Sequence, residues 1–212
     1  MMTQSDPQAL VFVIDDDASV REALQRLLRS VGLKAEVFGS TVEFLQRNSA
    51  DVPCCLVLDV RLPGLSGLDF QAELRRAGIQ IPIVFMTGHA DIPMSVKAMK
   101  GGAVEFLPKP FRDQDMLDAV RLALERDRHR RLGEAAVADI RSKFASLTPR
   151  EQQVMELVAA GLMNKQIAGA MKLAEITVKL HRGSVMRKMG AKSLAELVRM
   201  SDIVGAQKKA YP

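Results

Sequence analysis

The chain has 212 residues, room for two domains of ordinary size, and neither a charged leader followed by an apolar core nor an apolar run long enough to span a bilayer, so a soluble, cytoplasmic protein with no membrane partner is expected. Its only cysteines, Cys54 and Cys55, are adjacent in a strand-like segment, which excludes a disulfide framework and any metal-ligand spacing and makes them small core hydrophobes. The net charge of +5 is unevenly spread: residues 1–127 carry 14 Lys+Arg against 18 Asp+Glu, a balance of −4, while residues 128–212 carry 16 against 7, a balance of +9, which points to a polyanion, most often nucleic acid, as partner of the second half.

In chain order, apolar runs at 9–15 (ALVFVID), 34–38 (KAEVF), 54–59 (CCLVLD), 81–87 (IPIVFMT) and 104–108 (VEFLP) predict five strands. Between them, residues 19–31, 40–48, 67–77 and 92–99 carry apolar side chains at helical spacing, and residues 113–132 continue as a long helix. Strands alternating with helices predict an α/β fold, a doubly wound parallel sheet with helices on both faces. Arg- and Ala-rich residues 126–144 predict that the last of these helices runs on before a short hinge. The second part contains no strand pattern. Helices are expected at 149–160, 164–172, 177–188 and 194–204, the first opened by Thr148-Pro149-Arg150-Glu151, with a capping Thr, a Pro at the first helical position and a Glu three residues after the cap. The expected division is 1–127, a helical linker at 128–146, and 147–212.

In such a sheet, ligand sites lie at the carboxyl ends of the strands, and chemistry-bearing residues gather there. Asp15 and Asp16 follow the first strand and Asp59 ends the third, in LVLDVRLPG, where an aliphatic run stops on an acid before a Pro-Gly turn. If the first and third strands are neighbours, three carboxylates share one small pocket and need a cation or a proton to coexist. Hard oxygen donors suit Mg²⁺ or Mn²⁺. Thr87 ends the fourth strand with a hydroxyl, and Lys109 follows the fifth with a mobile ammonium, so the four strand ends supply a metal site, a carboxylate nucleophile, a hydroxyl donor and a cation. A solvated DDD turn and a surface lysine are the plainer readings of these residues taken singly; their joint placement favours the functional one.

In the second part, residues 164–190 read as a short helix, a tight connection and a second helix, with Ile167, Ala168, Met171, Val178, Val185 and Met189 available to a core and Lys179, Arg182 and Lys188 left elsewhere. Periodicity alone leaves a helix-turn-helix and an ordinary basic bundle equally open.

The segments VIDDD, LVLDVRLPG, MTG and KPF, in this order and spacing, resemble the receiver domain of bacterial two-component response regulators, and residues 87–111 are most similar to the FixJ-type subfamily. The resemblance implies a CheY-like or flavodoxin-like (βα)5 fold with Asp59 as phosphoacceptor, Asp15, Asp16, Asp59 and the backbone carbonyl of Arg61 as Mg²⁺ ligands, Thr87 and Lys109 as phosphate partners, Phe106 in place of a common tyrosine as a switch ring, and a cis Lys109–Pro110 bond. Residues 147–200, with TPRE, NKQIA and TVKLHR, are similar along their whole length to the LuxR-type four-helix DNA-binding domain. That similarity implies groove contacts from Lys179, Leu180 and Arg182, phosphate contacts from Lys165, Thr177, Arg187 and Lys188, a structural His181, and a last helix that dimerises. Gly183 stands where some relatives carry a basic contact residue. Taken together the resemblances imply a transcription regulator rather than an enzyme, phosphorylated by a sensor histidine kinase, forming a homodimer on phosphorylation, binding double-stranded promoter DNA and engaging RNA polymerase. A constitutive DNA-binding protein sits poorly with the intact acid, hydroxyl and lysine set; a phosphoesterase of the haloacid-dehalogenase type wants a second acid where Arg61 stands.

Overall fold

The computed structural model describes residues 9–47, 50–89 and 91–208, and its contacts divide the chain into two compact units, Met1–Arg131 and Leu132–Pro212. In the first, β1 (Leu10–Ile14), β2 (Lys34–Phe38), β3 (Cys54–Asp59), β4 (Ile83–Thr87) and β5 (Glu105–Pro108) form one parallel sheet in the order β2-β1-β3-β4-β5. Two strands match expectation in full, and the other three are trimmed by one or two residues; β4 starts beyond Pro82, which has no N–H to give a ladder. Because Ile14 pairs with Leu58 and Asp59 with Met86, Asp15, Asp59, Thr87 and Lys109 all leave the sheet along one edge.

The helices of this unit are α1 (Ala18–Ser30), α2 (Thr41–Leu45), α3 (Gly67–Arg76), α4 (Ile92–Lys100) and the part of α5 (Asp113–Ala145) up to Arg131. The helix expected over 40–48 stops at Leu45, and its expected last residue, Asn48, lies outside the described residues. Successive strand residues face opposite ways, so the sheet feeds two cores. On one face Val11, Val13, Cys55, Val57, Val84 and Met86 pack with Leu24 and Leu28 of α1 and Met116, Val120 and Leu124 of α5. On the other, Phe12, Ile14, Leu56, Leu58 and Phe85 pack with Phe44 of α2, Phe70 and Leu74 of α3 and Ala98 of α4. Every residue of β3 is buried, which is why CCLVLD reads as an unbroken apolar run rather than an alternation. Gly67, the first residue of α3, lies so close to the carbonyl of Asp59 that a side chain there would overlap it.

At the opposite end of β3, Asp127 of α5 is fully buried and accepts the Cys54 N–H at 2.9 Å, Arg130 Nη2 at 2.6 Å and Arg131 Nε at 2.7 Å. Arg131 also donates to the Ala50 carbonyl at 3.0 Å. Burial raises the Asp127 pKa, but the bonds from Arg130, Cys54 and Arg131 outweigh it and leave the carboxyl below its ordinary value. This clasp fixes α5 to the sheet. The helix then runs on to Ala145, past residue 132 where periodicity had placed its end, as its Arg- and Ala-rich composition predicts.

Helices are the only regular elements among the described residues of the second unit. The end of α5 is followed by α6 (Pro149–Ala159), α7 (Asn164–Met171), α8 (Glu175–Met189) and α9 (Leu194–Lys208), around a core of Leu147, Val154, Met155, Val158, Ile167, Val178, Val185, Met189 and Leu197. Ile140 and Phe144 of α5 pack on this core. Between α7 and α8 the chain turns at Lys172, which takes a left-handed conformation with φ 53°. Helix α8 begins at Glu175, two residues before the expected start at Thr177, because the Ala174 carbonyl already accepts the Thr177 and Val178 N–H groups and an acid suits a helix N-terminus.

Replacing Asp127 by Ala leaves the buried Cys54 N–H without its acceptor and removes the carboxylate that Arg130 and Arg131 share, so D127A is expected to lower the stability of the first unit by about 3 kcal/mol in urea unfolding, whereas D118A on the exposed side of α5 should cost under about 0.5 kcal/mol.

A candidate carboxylate-lysine site and a candidate nucleic-acid interface

Parallel pairing of β1 with β3 brings two of the three expected acids together. Asp15 and Asp59 are both buried, and the Lys109 ammonium lies between them, 2.7 Å from Asp15 Oδ2 and 3.3 Å from Asp59 Oδ1. Asp16 is exposed, so the expected trio is a pair with an outlying third member: side chains alternate at the end of an extended segment, and Asp15 takes the inward place. Among the described residues no group of three or more acids, histidines or cysteines is drawn together as a metal cage.

The remaining bonds fix each carboxylate by one oxygen. Asp15 Oδ1 accepts the Asp17 N–H at 2.9 Å, and Asp59 Oδ2 accepts the Arg61 N–H at 3.1 Å. Asp59 Oδ1 is buried and accepts no hydrogen bond; the Lys109 ammonium lies 3.3 Å from it. Burial pushes the Asp59 pKa up, the charge on Asp15 adds to that, and Lys109 with the Arg61 N–H offsets it only in part. For Lys109, burial acts downward, but the hydrogen bond to Asp15 and the charges of Asp59 and Asp15 outweigh it and the pKa is raised, so the lysine remains an ammonium. The donors left over are the unbonded Asp59 Oδ1, the exposed Asp16 carboxylate and the carbonyl of Arg61, hard oxygens of the kind that suit Mg²⁺.

Thr87 is fully buried, with its hydroxyl turned on the backbone of His89, accepting the His89 N–H at 3.3 Å and donating to the His89 carbonyl at 3.5 Å. Bonds this long are weak, which leaves the hydroxyl open to a better acceptor. The Lys109 N–H donates to the Thr87 carbonyl at 2.7 Å, joining the ends of β4 and β5, and the Lys109–Pro110 bond is cis. Phe106 is half-buried, not enclosed, with its ring 6.4 Å from that of Phe85.

In the second unit the expected contact residues separate into two groups. Lys165, Lys179, Leu180 and Arg187 are exposed; Ile176, Lys179, Leu180, Gly183 and Arg187 recur at helical spacing along one face of α8 and border a shallow depression of about 500 Å³. Thr177 is half-buried near the start of the same helix. Arg182 and Lys188, by contrast, are tied inward. Arg182 Nη1 donates to Asn164 Oδ1 at 2.7 Å, and Lys188 Nζ donates to Glu151 Oε2 at 2.7 Å. Neither cation is free on the surface as expected, because each has a partner on another helix. His181 is half-buried, as a structural residue would be, and α9 turns Leu197 and Met200 to the core of its own unit while Leu194 is exposed.

The sequence marks Glu151 only as a capping residue, whereas its carboxylate does more. Its carboxylate accepts the Thr148 N–H at 2.8 Å, the Ser184 hydroxyl at 2.5 Å and Lys188 at 2.7 Å, so one buried acid caps α6 and fixes α8 against it. Ile176, 64% exposed beside Leu180 at 68%, was also missed, although its place three and four residues before Lys179 and Leu180 was there to see.

Residues 11–121 match the response regulator receiver domain family, and residues 145–201 match the bacterial regulatory proteins of the luxR family. Nodulation protein W of Bradyrhizobium diazoefficiens is 62% identical over 203 residues, 96% of this chain and 89% of that protein. Response regulator protein TodT of Pseudomonas putida is 46% identical over 198 residues, covering 93% and 87%. Among solved structures, the response regulator StyR shares 49% identity with a TM-score of 0.82 over 92% of this chain and 98% of that one; full-length FixJ from B. japonicum shares 40% with a TM-score of 0.55 over 94% and 98%.

The bonds from Lys188, then Ser184 and the Thr148 N–H, pull the Glu151 pKa from its ordinary 4.5 down to about 2. A depressed carboxyl stabilises the fold fully above its unfolded value, and the contribution fades as pH falls from 4.5 toward about 2. E151Q is therefore expected to cost the second unit about 2 kcal/mol at pH 7 and to flatten that acid limb in thermal melts recorded from pH 6 to pH 2.

Proposed function

Because the chain belongs to the response regulators that join a receiver domain to a LuxR-family DNA-binding domain, we propose that it is switched by phosphorylation of Asp59 and acts on transcription as a DNA-binding dimer. The observation that carries this reading is the state of Asp59: a buried carboxylate at a strand end, one oxygen held by the Arg61 N–H and the other without a hydrogen bond beside an ammonium 3.3 Å away. Such an oxygen is positioned but unspent.

A partner histidine kinase supplies the phosphoryl group. Asp59 Oδ1 attacks the phosphorus of the phosphoimidazole, a P–O bond forms as the P–N bond breaks, and the imidazole leaves with its electron pair and takes up a proton. Asp15, Asp16, Asp59 and the Arg61 carbonyl would hold Mg²⁺ or Mn²⁺, which when bound neutralises charge on the transferring oxygens. Lys109 balances the acids before transfer and pairs with a phosphoryl oxygen after it, while the Thr87 hydroxyl exchanges its weak bonds to His89 for another. The phosphoryl group adds about 1.5 to 2 negative charges to a site already rich in them, and that addition is what the lysine and hydroxyl answer. Phe106, half-buried at the neighbouring strand, follows Thr87 and alters the surface formed with α4, through which two copies pair.

We assign residues 1–127 to the receiver, 128–146 to a helical linker and 147–212 to the DNA-binding domain. Lys179, Leu180 and Ile176 on the outer face of α8 are the base-edge candidates; Lys165, Thr177 and Arg187 contact phosphates, and Arg182 and Lys188 reach DNA only by leaving their internal partners. Two such helices in a dimer suit a two-fold-related site at a promoter, where RNA polymerase is the further partner. The protein is modified once rather than turning over a substrate. No helix among the described residues is long and apolar enough to cross a membrane.

Intact-mass spectrometry after incubation with phosphoramidate and Mg²⁺ tests the assignment. Wild type is expected to gain the mass of one phosphoryl group and lose it to hydroxylamine, while D59N and chelator-treated wild type gain none. A D59N chain that is modified to the same extent would place the chemistry elsewhere.

A further inference from the structure

Arg21 belongs to no motif and stands at no strand end, yet its side chain serves the loop that carries the acids. One guanidinium nitrogen, Nη1, donates to the main-chain carbonyl of Asp15 at 2.7 Å and to that of Asp16 at 2.9 Å. The backbone N–H of the same residue donates to the Asp17 carbonyl at 3.1 Å. Three consecutive acids thus have their carbonyls held by one residue in the first turn of α1. The rest of the loop is tied as closely: the Asp15 N–H donates to the Phe38 carbonyl of β2 at 3.3 Å, the Asp17 N–H to Asp15 Oδ1 at 2.9 Å, and the Ser19 N–H to the Asp17 carboxylate at 2.8 Å. With Asp15 Oδ1 occupied, Oδ2 is the oxygen left for Lys109.

A guanidinium in this place has two effects of opposite sign on a cation held by the loop. Its charge repels the cation, and screening by water weakens that repulsion at a half-buried position. Its two hydrogen bonds hold the peptide units of Asp15 and Asp16, so the carboxylates need not be ordered when the cation arrives. The guanidinium is spent on neutral carbonyls rather than on a carboxylate, an arrangement that orients backbone and does little to balance acid charge. We propose that Arg21 is a positioning residue that pre-orders the loop of Asp15, Asp16 and Asp17 for a divalent cation; this rests on the reading above that the loop takes part in holding one.

Calorimetric titration of the full chain with Mg²⁺, on wild type, R21M and R21K, separates the two effects by sign. As a clamp, R21M weakens Mg²⁺ binding roughly tenfold or more, and R21K, which keeps the charge on a shorter side chain, falls between R21M and wild type. Unchanged or tighter binding in R21M, with R21K like wild type, overturns the proposal in favour of a charge effect. A second readout needs no metal: amide hydrogen exchange at Asp16 and Asp17 in metal-free protein is expected to quicken in R21M, and unchanged exchange there overturns the clamp on its own. If R21M does not melt as a folded protein, the same two measurements on R21K decide. Should wild type itself bind no Mg²⁺, the metal reading fails, and the exchange experiment still judges whether Arg21 holds the loop.

Discussion

The Lys109 ammonium lies 2.7 Å from Asp15 and 3.3 Å from Asp59, and the behaviour of the acidic edge of the sheet follows from that placement. Burial raises the Asp59 pKa most, and repulsion by the neighbouring Asp15 carboxylate adds to it. One ammonium shared between them is an incomplete remedy. Opposite unit charges about 4 Å apart near a protein surface attract by about 4 kcal/mol, more than a net hydrogen bond contributes, which is enough to hold the lysine between the two acids. A site balanced in this way responds to any new charge placed in it. The sheet supplies the geometry, since only parallel strands deliver four functional ends to one edge, and β1, β3, β4 and β5 each contribute one.

Charge is also what separates the two halves. The first 127 residues carry a balance of −4 and the remainder +9, so the acidic half suits cations and phosphoryl chemistry while the basic half suits a polyanion. Within the basic half not every cation faces outward. Lys188 neutralises the buried Glu151 and Arg182 holds Asn164, which makes those two residues part of the scaffold that presents α8. The outer face is left to Lys179 and Arg187 with the exposed Ile176 and Leu180, a mixture suited both to phosphates and to the methyl groups of thymine.

Much of this was legible in the sequence where the signal is local. CCLVLD is buried along its whole length and ends on Asp59, as an apolar run stopped by an acid implies, and the Thr148 capping box opens α6 where its residues said it would. Helix ends were less legible. The end of α5 at Ala145 is legible from the Arg- and Ala-rich composition and not from periodicity, while the start of α8 depends on backbone bonds to Ala174 that no side chain announces. What periodicity does not encode at all is the pairing of side chains distant in sequence. Glu151 meets Lys188, Arg182 meets Asn164, and Asp127 meets Cys54, each through packing of separate elements. The same holds for Asp16, whose exposure follows from which of two adjacent acids takes the inward turn.

If the protein is a switch, charge added at Asp59 changes what α8 does. Fluorescence anisotropy of a labelled promoter library, titrated with wild type and D59N with and without phosphoramidate and Mg²⁺, measures this directly. Affinity is expected to rise with phosphodonor in wild type alone, in complexes holding two protein copies. Equal binding by both proteins under all conditions would contradict it and leave the receiver as a scaffold for a constitutive DNA-binding protein.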